Sequence, residues 1–151
     1  MPEGRMALAG LIVTLGLAGA GGASGAADGV EFRDPLTDEP LEIELPADAS
    51  EAARTFFATG ENPYQGDEQA IVEGRQIYGR WCASCHMPDG SGRLGPSLVD
   101  GTWRYERADT AVGQFEIIHA GATGAMQPFG DRLSPDEILK IIAHTAHLRE
   151  Q

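Results

Sequence analysis

The five residues Cys82-Ala83-Ser84-Cys85-His86 constrain this 151-residue chain more than any other stretch, because they form a C-x-x-C-H and use both of its cysteines. The spacing is that of covalent haem attachment. Two thiols one helical turn apart add across the two vinyl groups of haem, and the adjacent histidine reaches the iron. Other uses of the motif fit less well. A structural zinc site needs four ligands, and His119, His144 and His147 lie far downstream without zinc-finger spacing. A Cys82–Cys85 disulfide or a thioredoxin-like dithiol suits an oxidising compartment, but that fold alternates strands and helices, a pattern this chain lacks. The expectation is one haem c, bound covalently by Cys82 and Cys85 through two thioethers, with His86 as an axial ligand.

The iron needs a sixth ligand. Met1 and Met6 sit at the extreme N-terminus, and Met87 is too close to His86 to reach the opposite face. Met126 remains, in the loop Gly124-Ala125-Met126-Gln127-Pro128-Phe129 between two predicted helices. The competing use is a core methionine filling a gap, and His119, His144 or His147 are the other candidate ligands. Methionine ligation raises a haem potential, which suits an electron acceptor. Gly95-Pro96 follows the motif where the Pro96 carbonyl can accept the other ring N–H of His86 and hold its tautomer. Leu94 and Leu98 are expected to flank the haem. Trp103 and Tyr105 carry polar handles that either reach a haem propionate or belong to buried aromatics.

Residues 1–27 have the layout of a secretory signal peptide: Arg5, an apolar run from Met6 to Ala20, then small residues up to Ala27. A retained anchor is the alternative, because the glycine-rich end extends the apolar run to about membrane-spanning length. Cleavage would place residues 28–151 in the periplasm, with membrane association only if the segment stays. The formal charge is −12, with Lys140 as the single lysine. Such a surface disfavours nucleic acid and anionic membrane as partners.

Residues 28–49 form an acidic, proline-punctuated arm in which Leu41, Ile43 and Leu45 alternate with Glu42 and Glu44, a strand-like pattern. Either the arm is a solvated tail or it packs on the domain formed by residues 50–151. That domain reads as four helices: Ser50 to Ala58, Asp67 to Trp81, Thr110 to Ala120, and a last one capped by Ser134, Pro135 and Glu137. Ile71, Gly74, Ile77 and Tyr78 share one face of the second. Ile138, Ile141, Ile142 and Thr145 form the buried stripe of the last. From Met87 to Asp109 the chain is rich in glycine and turn residues, without a regular period.

A helix before C-x-x-C-H, the Gly95-Pro96 loop, the Met126 loop and a C-terminal helix resemble, in that order, a class I cytochrome c. The resemblance implies an all-α class I cytochrome c fold, helices and loops wrapped around one covalent haem, here with the acidic arm in front. It also implies that the first and last helices cross through a glycine and an aromatic residue. Gly74 and His144 stand at those places, the histidine being a departure. Thr59-Gly60-Glu61-Asn62-Pro63-Tyr64, Trp81 through Pro88, Val112-Gly113-Gln114-Phe115 and Ala120-Gly121-Ala122-Thr123-Gly124-Ala125-Met126 resemble the cytochrome c-L group more specifically. That likeness covers roughly Ser50 to Leu148. It implies an electron acceptor of a pyrroloquinoline-quinone (PQQ) methanol dehydrogenase, calcium or lanthanide type, handing electrons to a smaller cytochrome c or a terminal oxidase. No bond-making chemistry on a substrate of its own is expected. A carrier for another periplasmic dehydrogenase or reductase is the nearest alternative, and a haem sensor or enzyme with an open iron the more distant one.

Overall fold

The computed structural model describes Met1 and residues 29–151. Apart from Met1, the expected signal peptide lies outside the described residues. Among the described residues no helix is long and apolar enough to cross a membrane.

Five helices appear where local chemistry starts and stops them: α1 Glu51–Thr59, α2 Glu68–Trp81, α3 Ala83–His86, α4 Ala111–Ala120 and α5 Pro135–Arg149. A 3-10 turn, Glu106–Asp109, precedes α4. The side chains of Ser50, Asp67 and Thr110 cap α1, α2 and α4 by accepting the otherwise unpaired N–H groups of Ala53, Ala70 and Gly113. Ser134 and Glu137 form a reciprocal capping box on α5, with Pro135 in its first turn. Gly60 ends α1 in the left-handed region, where a side chain would be strained. Sequence reading had no signal for α3, a single turn that carries the cysteine motif, or for the 3-10 turn.

The fold hangs on the crossing of α2 and α5. A Cβ on Gly74 would lie 2.0 Å from the Lys140 carbonyl oxygen and 3.2 Å from the His144 Cβ. The helices can approach this closely only because position 74 has no side chain. Ile77 and Tyr78 continue the buried face of α2, with the Tyr78 ring edge-on to His144 at 5.3 Å. The buried surface of α5 is wider than the predicted stripe, since Leu139, Ala143, His144 and Ala146 join Ile138, Ile141, Ile142 and Thr145.

The acidic arm is ordered and packed, which resolves the alternative left open by the sequence. Phe32 is buried against Phe56, Phe57 and Phe115, at centroid separations of 4.9–6.1 Å. Leu41, Ile43 and Leu45 turn inward and Glu42 and Glu44 outward, yet no strand ladder forms; one isolated bridge, Arg33 to Pro40, is the arm's β pairing. The alternation therefore reports one-sided burial of an extended segment rather than sheet. A second fastening is polar. Glu116 of α4 is 2% exposed and accepts from Arg107 Nε at 2.9 Å, from Arg107 Nη2, and from the Arg33 backbone N–H at 2.8 Å. A buried carboxylate so completely paired holds the arm, the 3-10 turn and α4 together.

Two measurements test this packing. Overpacking at the crossing should cost about 3 kcal/mol and outweigh the roughly 1 kcal/mol that alanine gains in helix propensity. Gly74→Ala should therefore lower the unfolding free energy of the holoprotein in guanidinium by about 2 kcal/mol; unchanged stability would mean the helices are not so close. His144 is 3% exposed, with both ring nitrogens unpaired. Burial first, then Arg75 and His147, hold its pKa below the ordinary histidine value. The unfolded chain thus takes up a proton at this residue that the folded one refuses. Stability should be full above about pH 6.5 and fall as pH drops below it. His144→Phe should flatten that fall, as read from thermal melts across pH.

Candidate haem site

Helix α2 delivers the motif. Its last turn ends at Trp81, Cys82 is the hinge, and α3 turns Cys85 and His86 inward, with the Cys85 and His86 N–H groups bonded to the Cys82 carbonyl. Both cysteines are half-buried and unbridged. Burial, and then its neighbour Cys85, push the Cys82 thiol up to about 12. A thiol held protonated at neutral pH is a poor redox nucleophile, which speaks against a thioredoxin-type dithiol.

His86 is 8% exposed and held on two sides. Its Nδ1 lies 2.9 Å from the Pro96 carbonyl oxygen, so the neutral ring donates there and leaves Nε2 as its lone-pair nitrogen. The ring lies flat against Gly95, where a Cβ would come within 2.5 Å of Cε1 and 2.9 Å of Nε2. The loop from Gly92 to Gly95 is tied back by N–H bonds of Gly95 and Arg93 to the Cys85 carbonyl and of Gly92 to the His86 carbonyl. Glycine at 95 is thus explained by the imidazole ring it packs against, and the carbonyl of residue 96 by the ring N–H it accepts.

These groups open on a cavity of about 720 Å3. Cys82, Cys85, His86, Pro96, Leu98, Trp103 and Met126 all line it, as do Leu94 and Tyr105. The cavity is large enough for a tetrapyrrole and its wall is mainly apolar, as cofactor sites are. His119, His144, His147 and Met87 are not among the lining residues, so Met126 is the one of the candidate sixth ligands that reaches the cavity. Its loop is braced at both ends: the Ala122 N–H donates to the Met126 carbonyl, and the Phe129 and Gly130 N–H groups donate to Ile118 and His119. Gly121 is packed so tightly on the loop that a Cβ would sit 2.9 Å from the Met126 carbonyl oxygen.

The two aromatic handles divide. The Tyr105 hydroxyl accepts from the Thr123 N–H at 2.9 Å and pairs with its Oγ1 at 2.8 Å, so it clips the Met126 loop. Trp103 lies under the Arg149 guanidinium, 5.4 Å from the ring centroid. Arg149 also donates to the Leu98 carbonyl at 3.3 Å, and its pKa is lowered by burial. It lines the cavity together with Arg80, Arg104 and Arg132. Sequence reasoning missed these four arginines; the excess of Arg over Lys was the available signal, and only the fold gathers them.

A C-x-x-C-H at the end of one of two helices crossed on a glycine, with a glycine-proline loop behind its histidine and a methionine loop on the same cavity, defines a c-type cytochrome of class I fold. A family model described as cytochrome c oxidase, cbb3-type, subunit III matches residues 69–144. Cytochrome c-L of Methylorubrum extorquens is 38% identical over 128 residues, which is 83% of this chain and 65% of that protein. The chain thus spans about two thirds of its relative's length. The crystal structure of cytochrome cL from Hyphomicrobium denitrificans superposes with a TM-score of 0.74 at 36% identity, over 79% of this chain and 73% of that one. Cytochrome cL from the marine methylotroph Methylophaga aminisulfidivorans gives 0.73 at 33% identity, over 80% and 86%. The chain belongs to the cytochrome c-L family. Its homologues are cytochrome c electron carriers with one covalent haem c, and Cys82 and Cys85 fit that attachment motif.

Cys82→Ala should leave at most one thioether, shifting the haemochrome spectrum toward that of a haem with one remaining vinyl. A variant with the wild-type haemochrome band would refute attachment through Cys82.

Proposed function

We propose that this protein is a periplasmic monohaem cytochrome that takes single electrons from a PQQ-dependent methanol dehydrogenase and passes them to a smaller cytochrome c or a terminal oxidase. The observation that carries this reading is the extent of the likeness to cytochrome c-L. A match over 83% of the chain cannot leave out the arm at residues 28–49, whereas a general haem domain needs no such arm. In this reading residues 1–27 are a signal peptide, 28–49 the arm and 50–151 the haem domain.

Haem supplies reversible one-electron exchange at iron; the protein's residues set its position, potential and access. Cys82 and Cys85 would anchor it, and His86 would offer Nε2 to the iron, its Nδ1 being taken by the Pro96 carbonyl. Met126 would offer Sδ to the iron, from a loop clipped by Tyr105. A thioether ligand stabilises the reduced iron and raises the potential, as an acceptor requires. Pro96, Leu98 and Trp103 line the cavity that would hold it.

Met126→Ala should lower the midpoint potential and let carbon monoxide bind the reduced protein; an unaltered spectrum would remove Met126 from the ligand set. Stopped-flow reduction by purified calcium and lanthanide methanol dehydrogenases, against an unrelated quinoprotein alcohol dehydrogenase, tests the partner. Fast, saturable reduction by one methanol dehydrogenase is expected. Slow reduction by both would move the protein to another periplasmic dehydrogenase.

A further inference from the structure

Charge is segregated on this molecule in a way its total conceals. The formal charge is −12, with 23 acidic residues. Yet among the described residues no aspartate or glutamate lines the main cavity, while Arg80, Arg104, Arg132 and Arg149 do. Among the described residues the ion pairs are made by Arg33, Arg107 and Lys140, and none of the four cavity arginines has a carboxylate partner. Two of them are tied to the cavity wall, although Arg104 is itself exposed. Arg149 is half-buried on Trp103, and Arg104 reaches Thr123 in the Met126 loop.

The other two, Arg80 and Arg132, are exposed and flank an aromatic pair. Trp81 is 41% exposed, directly precedes Cys82, and meets Phe129 edge-on at 5.9 Å. The Arg132 guanidinium lies 5.8 Å from the centre of the Phe129 ring. Asp131 and Glu44 line a neighbouring pocket that Arg132 also borders, but neither carboxylate forms an ion pair with it. Exposed tryptophan and arginine side by side are the composition of an interface anchor, and they are exposed among the described residues.

We infer that Trp81 and Phe129, flanked by Arg80 and Arg132, form the docking face through which electrons pass, and that this face takes a partner presenting a carboxylate-rich patch. The inference deepens the electron-carrier reading and rests on it. It inverts what the net charge suggests: at contact, the steering comes from arginines on the cytochrome and acids on the partner.

A small anionic oxidant reads the local charge without any protein partner. One electron leaves the reduced holoprotein, and ferricyanide becomes ferrocyanide. If the rim is basic, the second-order rate should fall by on the order of tenfold as ionic strength rises from about 10 to about 200 mM. If the net charge governs, the rate should rise instead, and the proposal is overturned. The double variant R80Q/R132Q should slow the reaction several-fold and flatten its salt dependence when rates are compared at equal driving force, from each variant's own midpoint potential; R80K/R132K should restore both. A double variant with wild-type rates also overturns the proposal. In parallel, R80E/R132E should slow reduction by the methanol dehydrogenase that reduces the wild type, and Glu42→Lys on the arm should not. Salt-insensitive dehydrogenase reduction with slowed ferricyanide exchange would place the patch at a different partner. Slow reduction by every methanol dehydrogenase, with the ferricyanide result intact, would refute the donor assignment and leave the basic face standing.

Discussion

Everything at the site depends on the absence of one side chain, at Gly74. With nothing at that position but hydrogen, α2 lies against the backbone of Lys140 and the Cβ of His144. The crossing determines where α2 ends, and so where Cys82, Cys85 and His86 emerge. It also aims α5, whose Ile141, Thr145 and Arg149 form a wall of the same cavity. Lys140 secures the contact from outside, bridging Glu73 of α2 and Asp136 of α5 at 2.8 Å each. Two helices distant in sequence thus hold opposing parts of the cavity wall in register.

The remaining wall is loop, and loops need other means of rigidity. Between Met87 and Asp109 the chain has almost no helix, and its order comes from being wrapped around His86. The Cys85 carbonyl accepts from both Arg93 and Gly95, and Pro96 receives the imidazole N–H. Across the cavity wall, Tyr105 reaches over to Thr123 and ties the segment before α4 to the loop after it. The imidazole and methionine segments are therefore each braced by backbone hydrogen bonds that do not depend on secondary structure. That is how a small domain can position two ligand candidates precisely with little regular structure between them.

What was legible in the sequence follows from how local the physics is. The capping box of α5 stands where the spacing predicted, and Ser50, Asp67 and Thr110, read from the sequence as the first residues of their helices, are the caps of α1, α2 and α4. The motif and the Gly95-Pro96 pair are similarly compact, and the structure gathers them with Met126 on one cavity. The order of the arm was not legible, because Phe32 is buried by Phe56, Phe57 and Phe115, partners up to 83 residues away. Glu116 looks like a surface residue of an amphipathic helix; only the approach of Arg33 and Arg107 makes a buried carboxylate tolerable there. Arg149 reads as an ordinary basic complement to a helix C-terminus, and its place on Trp103 exists only once α5 is docked.

The arm also bears on how the molecule meets a partner. Leu41, Ile43 and Leu45 pin it down with Glu42 and Glu44 facing solvent, and none of its residues lines the main cavity. Its packing therefore fixes these carboxylates outside the cavity that the four arginines line, although Glu44 borders a neighbouring pocket with Arg132. At roughly physiological salt the screening length is about 8 Å, shorter than a domain of this size, so a partner near one face feels mainly that face. The net charge of −12 then describes solubility and long-range repulsion, and the arrangement of charges describes docking. A mobile acidic tail would blur that distinction by letting its carboxylates fold over the arginines. The apolar anchoring of Phe32 and the hydrogen bonds of the Glu116 carboxylate hold the arm in place, so packing decides where its charge lies relative to the arginines.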